Sequence, residues 1–346
     1  MDAKLFNYLL PEELIADRPL KRGESRMMVL HRDKETVANC KFSDLPHFID
    51  SNTTVVFNST KVIPARIFGK RKSGGAVEFL LLKQLKESFW QVMVKSSKYL
   101  LKGEVIAFEH NLEAEIISRE SQFAEVEFSL HKEKLLSYLN DFGDIPLPPY
   151  ILKRRNEQKS RKEDRALYQT VYANTPGSVA APTAGLHFDA EILKKIHEIT
   201  EGHIENILLD VGLGTFLPVK SEKVEEHTMH KERFLITKEC AERLSEDKKN
   251  GRKILAVGTT TVRALESASD ENGNIKPCDK ETGIFIYPGY QFKFADKILT
   301  NFHLPQSTLL MMISAFAGRE FVFKAYKEAV KERYRFYSYG DCMLIM

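Results

Sequence analysis

Apolar positions along the chain fall into two patterns. From about residue 66 to residue 128 they form short strand-like runs, at 76–82, 89–94, 104–108, 112–117 and 123–128, parted in places by turn residues such as Gly74-Gly75 and Lys102-Gly103. Repeated short strands with almost no helical spacing predict a small β-barrel, assigned to residues 66–150. Outside that stretch, residues 27–30, 53–57, 203–211, 253–257 and 284–287 read as strands, and 189–199, 240–249, 260–269, 307–316 and 321–333 carry the spacing of helices. Pro11-Glu12-Glu13 reads as a helix start, with proline in the first turn and acids at the positive end of the dipole. Strands alternating with helices predict an α/β or α+β domain. The expected fold is therefore mixed α/β (α+β) with two domains: a discontinuous α/β-type domain over 1–65 and 151–346, and an inserted β-barrel over 66–150. The proline-dense Ile145-Pro-Leu-Pro-Pro-Tyr150 is expected to be a stiff extended connector. The run 151–165 after it, with seven Lys/Arg against three acids, is expected to be exposed and mobile.

Composition narrows the class. The 346 residues are 43% hydrophobic and 29% charged, which suits a globular protein that buries a core without staples. Cys40, Cys240, Cys278 and Cys342 are far apart along the chain, so no Cys-x-x-Cys site exists and a reduced, cytosolic chain is expected. The opening MDAKLFNYLLPEEL has acids and a proline where a secretory signal needs an apolar stretch. The most apolar run, 304–317, is interrupted by Pro305, Gln306 and Ser307, is too short to span a bilayer, and reads as a buried helix, so no membrane partner is expected.

A net charge of +3 identifies no polyanionic partner, but its distribution says more. Lys61, Arg66, Lys70, Arg71 and Lys72 fall within twelve residues that contain no acid. Arg154 and Arg155 belong to the basic run 151–165, and Arg333, Tyr334, Arg335 and Tyr337 form a third clump. Lys and Arg neutralise phosphates and tyrosine stacks on splayed bases, so three clumps point to nucleic acid. A solvated charged face is the alternative for any one of them.

Five further segments bear on candidate chemistry. Residues 177–188 are rich in small side chains, which let a ligand approach the backbone closely, and His187 and Asp189 stand where a helix begins. A tight turn that only packs is the competing reading. Asp210-Val-Gly-Leu-Gly-Thr-Phe216 follows a strand but departs from a dinucleotide-type glycine loop, with Phe216 in place of a third glycine and Pro218 stopping an immediate helix. Residues 254–263 read as strand, glycine turn and helix, with Thr259 or Thr260 as the cap and Arg263 one turn in, a corner suited to a carboxylate or phosphate; the alternative is ordinary capping with Arg263 solvated or paired to a carboxylate. His303 lies in a polar cluster before an apolar helix that Ser307 is placed to cap, and its ordinary pKa near neutrality suits proton transfer. His227 and His230 are three apart, but no third ligand has recognisable spacing, so no metal is expected.

Ten ordered stretches together resemble one family. They are NSTKVIPAR (58–66), DRALYQTVY (164–172), VAAPTAGLHF (179–188), GLGTF (212–216), HTMH (227–230), VGTTTVR (257–263), IFIYPG (284–289), TNFHLPQSTL (300–309), SAFAG (314–318) and YRFYSYGD (334–341), and YLLPEELIA (8–16) extends the likeness towards the N-terminus. The chain resembles the S-adenosylmethionine:tRNA ribosyltransferase-isomerase family of queuosine biosynthesis, with residues 85–140 similar mainly in layout. One departure is Asp210, where members usually carry histidine.

The resemblance implies a catalytic α/β-type domain with a barrel insertion, a monomer, S-adenosylmethionine as co-substrate and no metal. It implies transfer and isomerisation of the ribosyl part of S-adenosylmethionine onto 7-aminomethyl-7-deazaguanine at the wobble position of tRNA, giving epoxyqueuosine with release of adenine and methionine. The sulfonium acidifies the adjacent C5′ protons, so a base must remove one. The nucleophile is the amine of the substrate, so no Ser or Cys nucleophile is needed. Candidates for proton transfer are His187 and His303, with His230 behind them. Candidate lining for the co-substrate is Pro182, Thr183, Ala184, Gly185, Leu186, Phe188, Gly212, Gly214, Thr215 and Phe216, with Thr259, Thr260 and Arg263 holding an anionic group, and Phe216 or Tyr287 stacking on the purine. Lys61, Arg66, Lys70, Arg71, Lys72, Arg154, Arg155 and Arg335 are the candidates for tRNA. An S-adenosylmethionine-dependent RNA methyltransferase and a non-catalytic RNA-binding module are the rival readings.

Overall fold

The apolar segments Ile204–Leu209, Thr53–Asn58, Lys253–Val257 and Lys297–Asn301 lie side by side as parallel strands in a computed structural model that describes residues 1–157, 160–212 and 221–346. Thr53–Asn58 is buried at every position. Strands covered on both faces read as continuous apolar runs, because no face is left to carry polar residues. Cys342–Ile345 runs antiparallel to Lys297–Asn301, and Arg26–His31 runs parallel to Cys342–Ile345. The starts of these last two strands therefore lie at the same end of the sheet as the carboxyl ends of the four parallel ones. Thr36–Lys41 closes this edge, and Glu232–Ile236 with Cys278–Thr282 closes the other, giving nine strands.

Helices cover the sheet. Ala190–Ile199 starts at Asp189, whose side chain accepts from the Ile192 N–H, and it buries Ile192 and Ile196 against Val55, Phe57, Leu255 and Val257. Phe188 sits in the same core, edge-on to Phe42 and Phe57 at 4.9 and 5.2 Å. Thr308–Ala317 is almost wholly buried, capped as expected by Ser307, which accepts from the Leu310 N–H. No described helix is long and apolar enough to cross a membrane. Thr259–Ala268 buries Glu266, whose carboxylate accepts from the backbone N–H groups of Lys293, Phe294 and Ala295 and from the Tyr290 hydroxyl.

The chain divides into two compact units, one of residues 1–61, 169–175 and 181–346 and a second of 62–168 and 176–180. The second unit holds a closed barrel of six strands, Arg66–Arg71, Ala76–Gln84, Phe89–Ser96, Val105–Phe108, Glu113–Glu120 and Phe123–Phe128. Arg66–Arg71 was absent from the expected strands because three of its six residues are basic and Gly69 ends the apolar pair Ile67-Phe68. Gly69 fits there because a Cβ would come within 2.8 Å of the Phe108 ring and the Ala107 carbonyl.

Several expectations change. Lys132–Phe142 is a helix, and Pro149–Arg155 is a helix where a connector and a mobile basic run were expected. Ile151 and Leu152 are buried, and Arg155 makes a buried ion pair with Asp164, which explains why the unit with the barrel continues past residue 150. Residues 284–287 are not a strand. The Ile284 N–H donates to Thr282 Oγ1 and its carbonyl accepts from Arg263, so side chains take the place of a ladder. Pro11 precedes only a short 3-10 turn, Glu12–Leu14.

Candidate active site

The carboxyl ends of three of the parallel strands, Ile204–Leu209, Lys253–Val257 and Lys297–Asn301, border a recess. Ligands of open α/β sheets bind at this end, where loops and helix N-termini leave polar groups unpaired. The recess is lined by residues 181–184, Val211, 258–260, 300–303, Leu309, Tyr337 and Ser338, around about 500 Å³ of empty space that includes its open mouth. Four stretches distant in sequence, 179–188, 257–263, 300–309 and 334–341, are brought together here.

The wall at 258–260 depends on one glycine. Gly258 has φ +92°, a left-handed backbone that side chains resist, and it is the N-cap of Thr259–Ala268. Neither Thr259 nor Thr260 is the cap. Thr260 Oγ1 lies 3.4 Å from Asn58 Nδ2, and Thr261 Oγ1 donates to the Val257 carbonyl. First-turn N–H groups have no acceptor within a helix, so this wall suits a carboxylate or phosphate. Asn58 ties the neighbouring strand end in place: its Nδ2 donates to the Leu209 carbonyl and its Oδ1 accepts from the Leu209 N–H, both at 3.0 Å.

His303 borders the recess and is 5% exposed. Its Nε2 lies 3.0 Å from Thr300 Oγ1, its backbone N–H donates to Tyr326 Oη, and its carbonyl accepts from Tyr8 Oη. Among the described residues Nδ1 has no hydrogen-bond partner. Burial pushes its pKa down to about 3, so the imidazole is neutral near pH 7: it carries no proton to give as an acid, and the same desolvation weakens it as a base. His187 is equally buried but does not line the recess. Its Nδ1 lies 2.9 Å from Ser25 Oγ and its Nε2 3.1 Å from Asn301 Nδ2. Burial first, then the positive charges of Arg335 and Arg22, push it down to about 3.

Arg263 takes the alternative of pairing with a carboxylate. It is 2% exposed, and Nη1 donates to Glu232 Oε2, while Glu232 Oε1 accepts from the Gly212 N–H at 2.9 Å. The guanidinium thus fixes the start of the glycine turn through Glu232, while its Nη2 has no hydrogen-bond partner among the described residues. Gly214, Thr215 and Phe216 lie outside the described residues. Phe188 is core, Leu186 is buried, and a Cβ on Gly185 would meet Tyr172 Oη at 1.9 Å; none of the three lines the recess. Tyr287 packs on Phe285 away from the lining, and His230 is exposed. Asp210 is partly buried, which raises its carboxyl above the usual range, with Arg233 at 3.6 Å acting against that shift.

The basic candidates divide in two. Lys61, Lys70, Lys72 and Arg154 are exposed. Arg66 pairs with Glu78, Arg71 is bidentate on Glu104, and Arg155 pairs with Asp164, so acids distant in sequence occupy the guanidinium groups that looked free. Arg335 is half-buried and donates to the Arg18 carbonyl, while its backbone N–H donates to Asp341. Tyr334 is buried under the Arg26 guanidinium at 3.7 Å and has no face for a base. Residues missed from the sequence are Ser25, Asn301 and Glu232. Asn301 and Glu232 stand at strand ends next to other polar residues, Thr300 and Arg233, so no local pattern singled them out.

The chain matches the family described as "Queuosine biosynthesis protein" over residues 3–345. It is 48% identical to the S-adenosylmethionine:tRNA ribosyltransferase-isomerase of Treponema denticola, with the whole of both chains covered. It is 46% identical to the enzyme of the same name from Halothermothrix orenii, again over the whole of both. Among solved structures it is similar to an S-adenosylmethionine tRNA ribosyltransferase of Thermotoga maritima, at 31% identity and a TM-score of 0.53, covering 99% of this chain and 100% of that one.

Proposed function

The chain belongs to the queuosine biosynthesis protein family, and from that premise we propose that it transfers and isomerises the ribosyl moiety of S-adenosylmethionine onto 7-aminomethyl-7-deazaguanine at the tRNA wobble position. The products are epoxyqueuosine-tRNA, adenine and methionine. The observation that carries this reading is the recess at the strand ends, which joins a helix N-terminus to a neutral histidine with one nitrogen unpartnered among the described residues.

The residues supply distinct parts. N–H groups at Thr259 and Thr260 face the negative carboxylate of the methionine portion. His303 takes a proton from C5′, which the sulfonium has acidified. The substrate amine forms the new bond to carbon, so the protein contributes no covalent nucleophile. Adenine and methionine depart as the ribosyl unit rearranges.

Incubation of the protein with S-adenosylmethionine and tRNA bearing the aminomethyl base should release free adenine and add the ribosyl-derived unit to one nucleoside, as read by mass spectrometry. Methyl-labelled co-substrate should deliver its label to free methionine. Label in the RNA would establish methyl transfer, and tRNA binding without adenine release would establish a binding module.

Binding to tRNA should weaken steeply as salt rises, because each neutralised phosphate releases counterions. The exposed Lys70 and Lys72 are the better test than Arg66 or Arg71, whose charges are paired. Each Lys→Ala change should reduce the slope of log Kd against log salt by about 1 or less. A slope unchanged in the double variant would remove these lysines from the RNA contact.

A further inference from the structure

Asn301 closes the strand Lys297–Asn301 and lines the recess with 4% of its surface exposed. Its amide is held from both sides. Oδ1 accepts from Thr183 Oγ1 at 3.1 Å, and Nδ2 lies 3.1 Å from His187 Nε2. An amide nitrogen only donates, so Nε2 must accept and the imidazole proton resides on Nδ1, where it faces Ser25 Oγ at 2.9 Å. One Nδ2 hydrogen remains, and no described residue accepts it. A buried donor without an acceptor is costly, which makes the recess the place where a partner for it is expected.

His187 has the opposite situation. Both ring nitrogens are engaged by protein groups, it does not border the recess, and the groups around it are Ser25, Asn301, the Phe42 ring at 5.2 Å and the positive charges of Arg22 and Arg335. No carboxylate faces it to stabilise an imidazolium. A proton shuttle needs a free nitrogen near the reacting atom, and this ring has none.

We propose that Asn301 donates a hydrogen bond to an acceptor atom of the bound co-substrate, and that His187 is a positioning residue that fixes the Asn301 amide instead of moving a proton. The proposal deepens the transferase reading and rests on it for the identity of the ligand. It replaces the expectation that His187 takes part in proton transfer.

Glutamine separates the two roles, because its Oε1 can accept near the place of Nε2 but cannot titrate. His187→Ala and Asn301→Ala should each raise the KM for S-adenosylmethionine about tenfold, the loss of one hydrogen bond, with a smaller change in the single-turnover rate at saturation. His187→Gln should recover most of what His187→Ala loses. Thermal melts of all three variants establish that they are folded. Overturning results are folded His187→Gln as inactive as His187→Ala, or an unchanged KM in folded Asn301→Ala. A second readout needs no turnover. Nitrogen NMR of labelled imidazole, assigned by the signal missing in His187→Gln, should find Nδ1 protonated, Nε2 bare and no titration between about pH 5 and 8. A titrating ring or the opposite tautomer refutes the positioning role even if the wild-type protein catalyses the expected reaction. Absence of adenine release by wild type, with the Nδ1–H tautomer present, counts against the transferase reading alone.

Discussion

Glu232→Ala should lower the free energy of unfolding by roughly 3–5 kcal/mol, the usual result of removing one partner of a buried ion pair. Glu232 and Arg263 have side-chain exposures of 4% and 3%, so water cannot replace the lost carboxylate. The change also strips the acceptor from the Gly212 N–H. Two unmet groups, a guanidinium and an amide, then sit beside the recess wall at Val211. Glu232→Gln keeps an acceptor for Gly212 and removes only the charge, so its loss should be smaller. Urea unfolding measures both, with the midpoint moving and the slope holding if the effect is on stability alone. A loss under about 1 kcal/mol, the range of exposed pairs, would mean that solvent reaches the pair.

His303→Ala should slow single turnover on substrate tRNA by about 10²–10⁴-fold, the contribution of a positioned proton acceptor. A rate within a factor of about two of wild type would take proton transfer away from this residue. Titration gives a second check. The folded pKa is about 3 against an ordinary 6.5. The imidazole therefore stays neutral over the working range, and the rate should show no acidic limb near 6.5 assignable to it. For stability the sign follows from proton binding. Between about 3 and 6.5 the unfolded chain holds the extra proton, so stability is complete above 6.5 and falls as the pH drops towards the folded value. Each pH unit in that window removes up to about 1.4 kcal/mol for the one ring, and His303→Ala should flatten that part of the curve.

The strands legible in sequence were the ones whose pattern needs no partner to recognise. Arg26–His31, Thr53–Asn58 and Lys253–Val257 each carry an apolar run, at 27–30, 55–57 and 254–257, whose residues are all buried. Lys297–Asn301 and Cys342–Ile345 were not seen, since four or five buried residues make no period of their own and become strands only between neighbours. The barrel was visible from its repeated short runs, yet Arg66–Arg71 looked like a basic patch until Glu78, on a neighbouring strand, and Glu104, just before another, paired with it. At the site, the stretches that meet in the recess were each identified, but their division of labour was not. His187 and His303 are alike in one dimension. Only the fold sets one ring between Ser25 and Asn301 and leaves the other with a nitrogen unengaged. Phe188 likewise belonged to a conspicuous motif while its ring fills the core.

Glu266 bears on how this protein accommodates what it binds. The helix that begins at Thr259 is moored two turns later by a carboxylate gripping three consecutive backbone amides and a phenol. Sliding the helix along its axis would break all of these bonds at once, so a ligand arriving at the Thr259 end meets a rigid stop and cannot pull it inward.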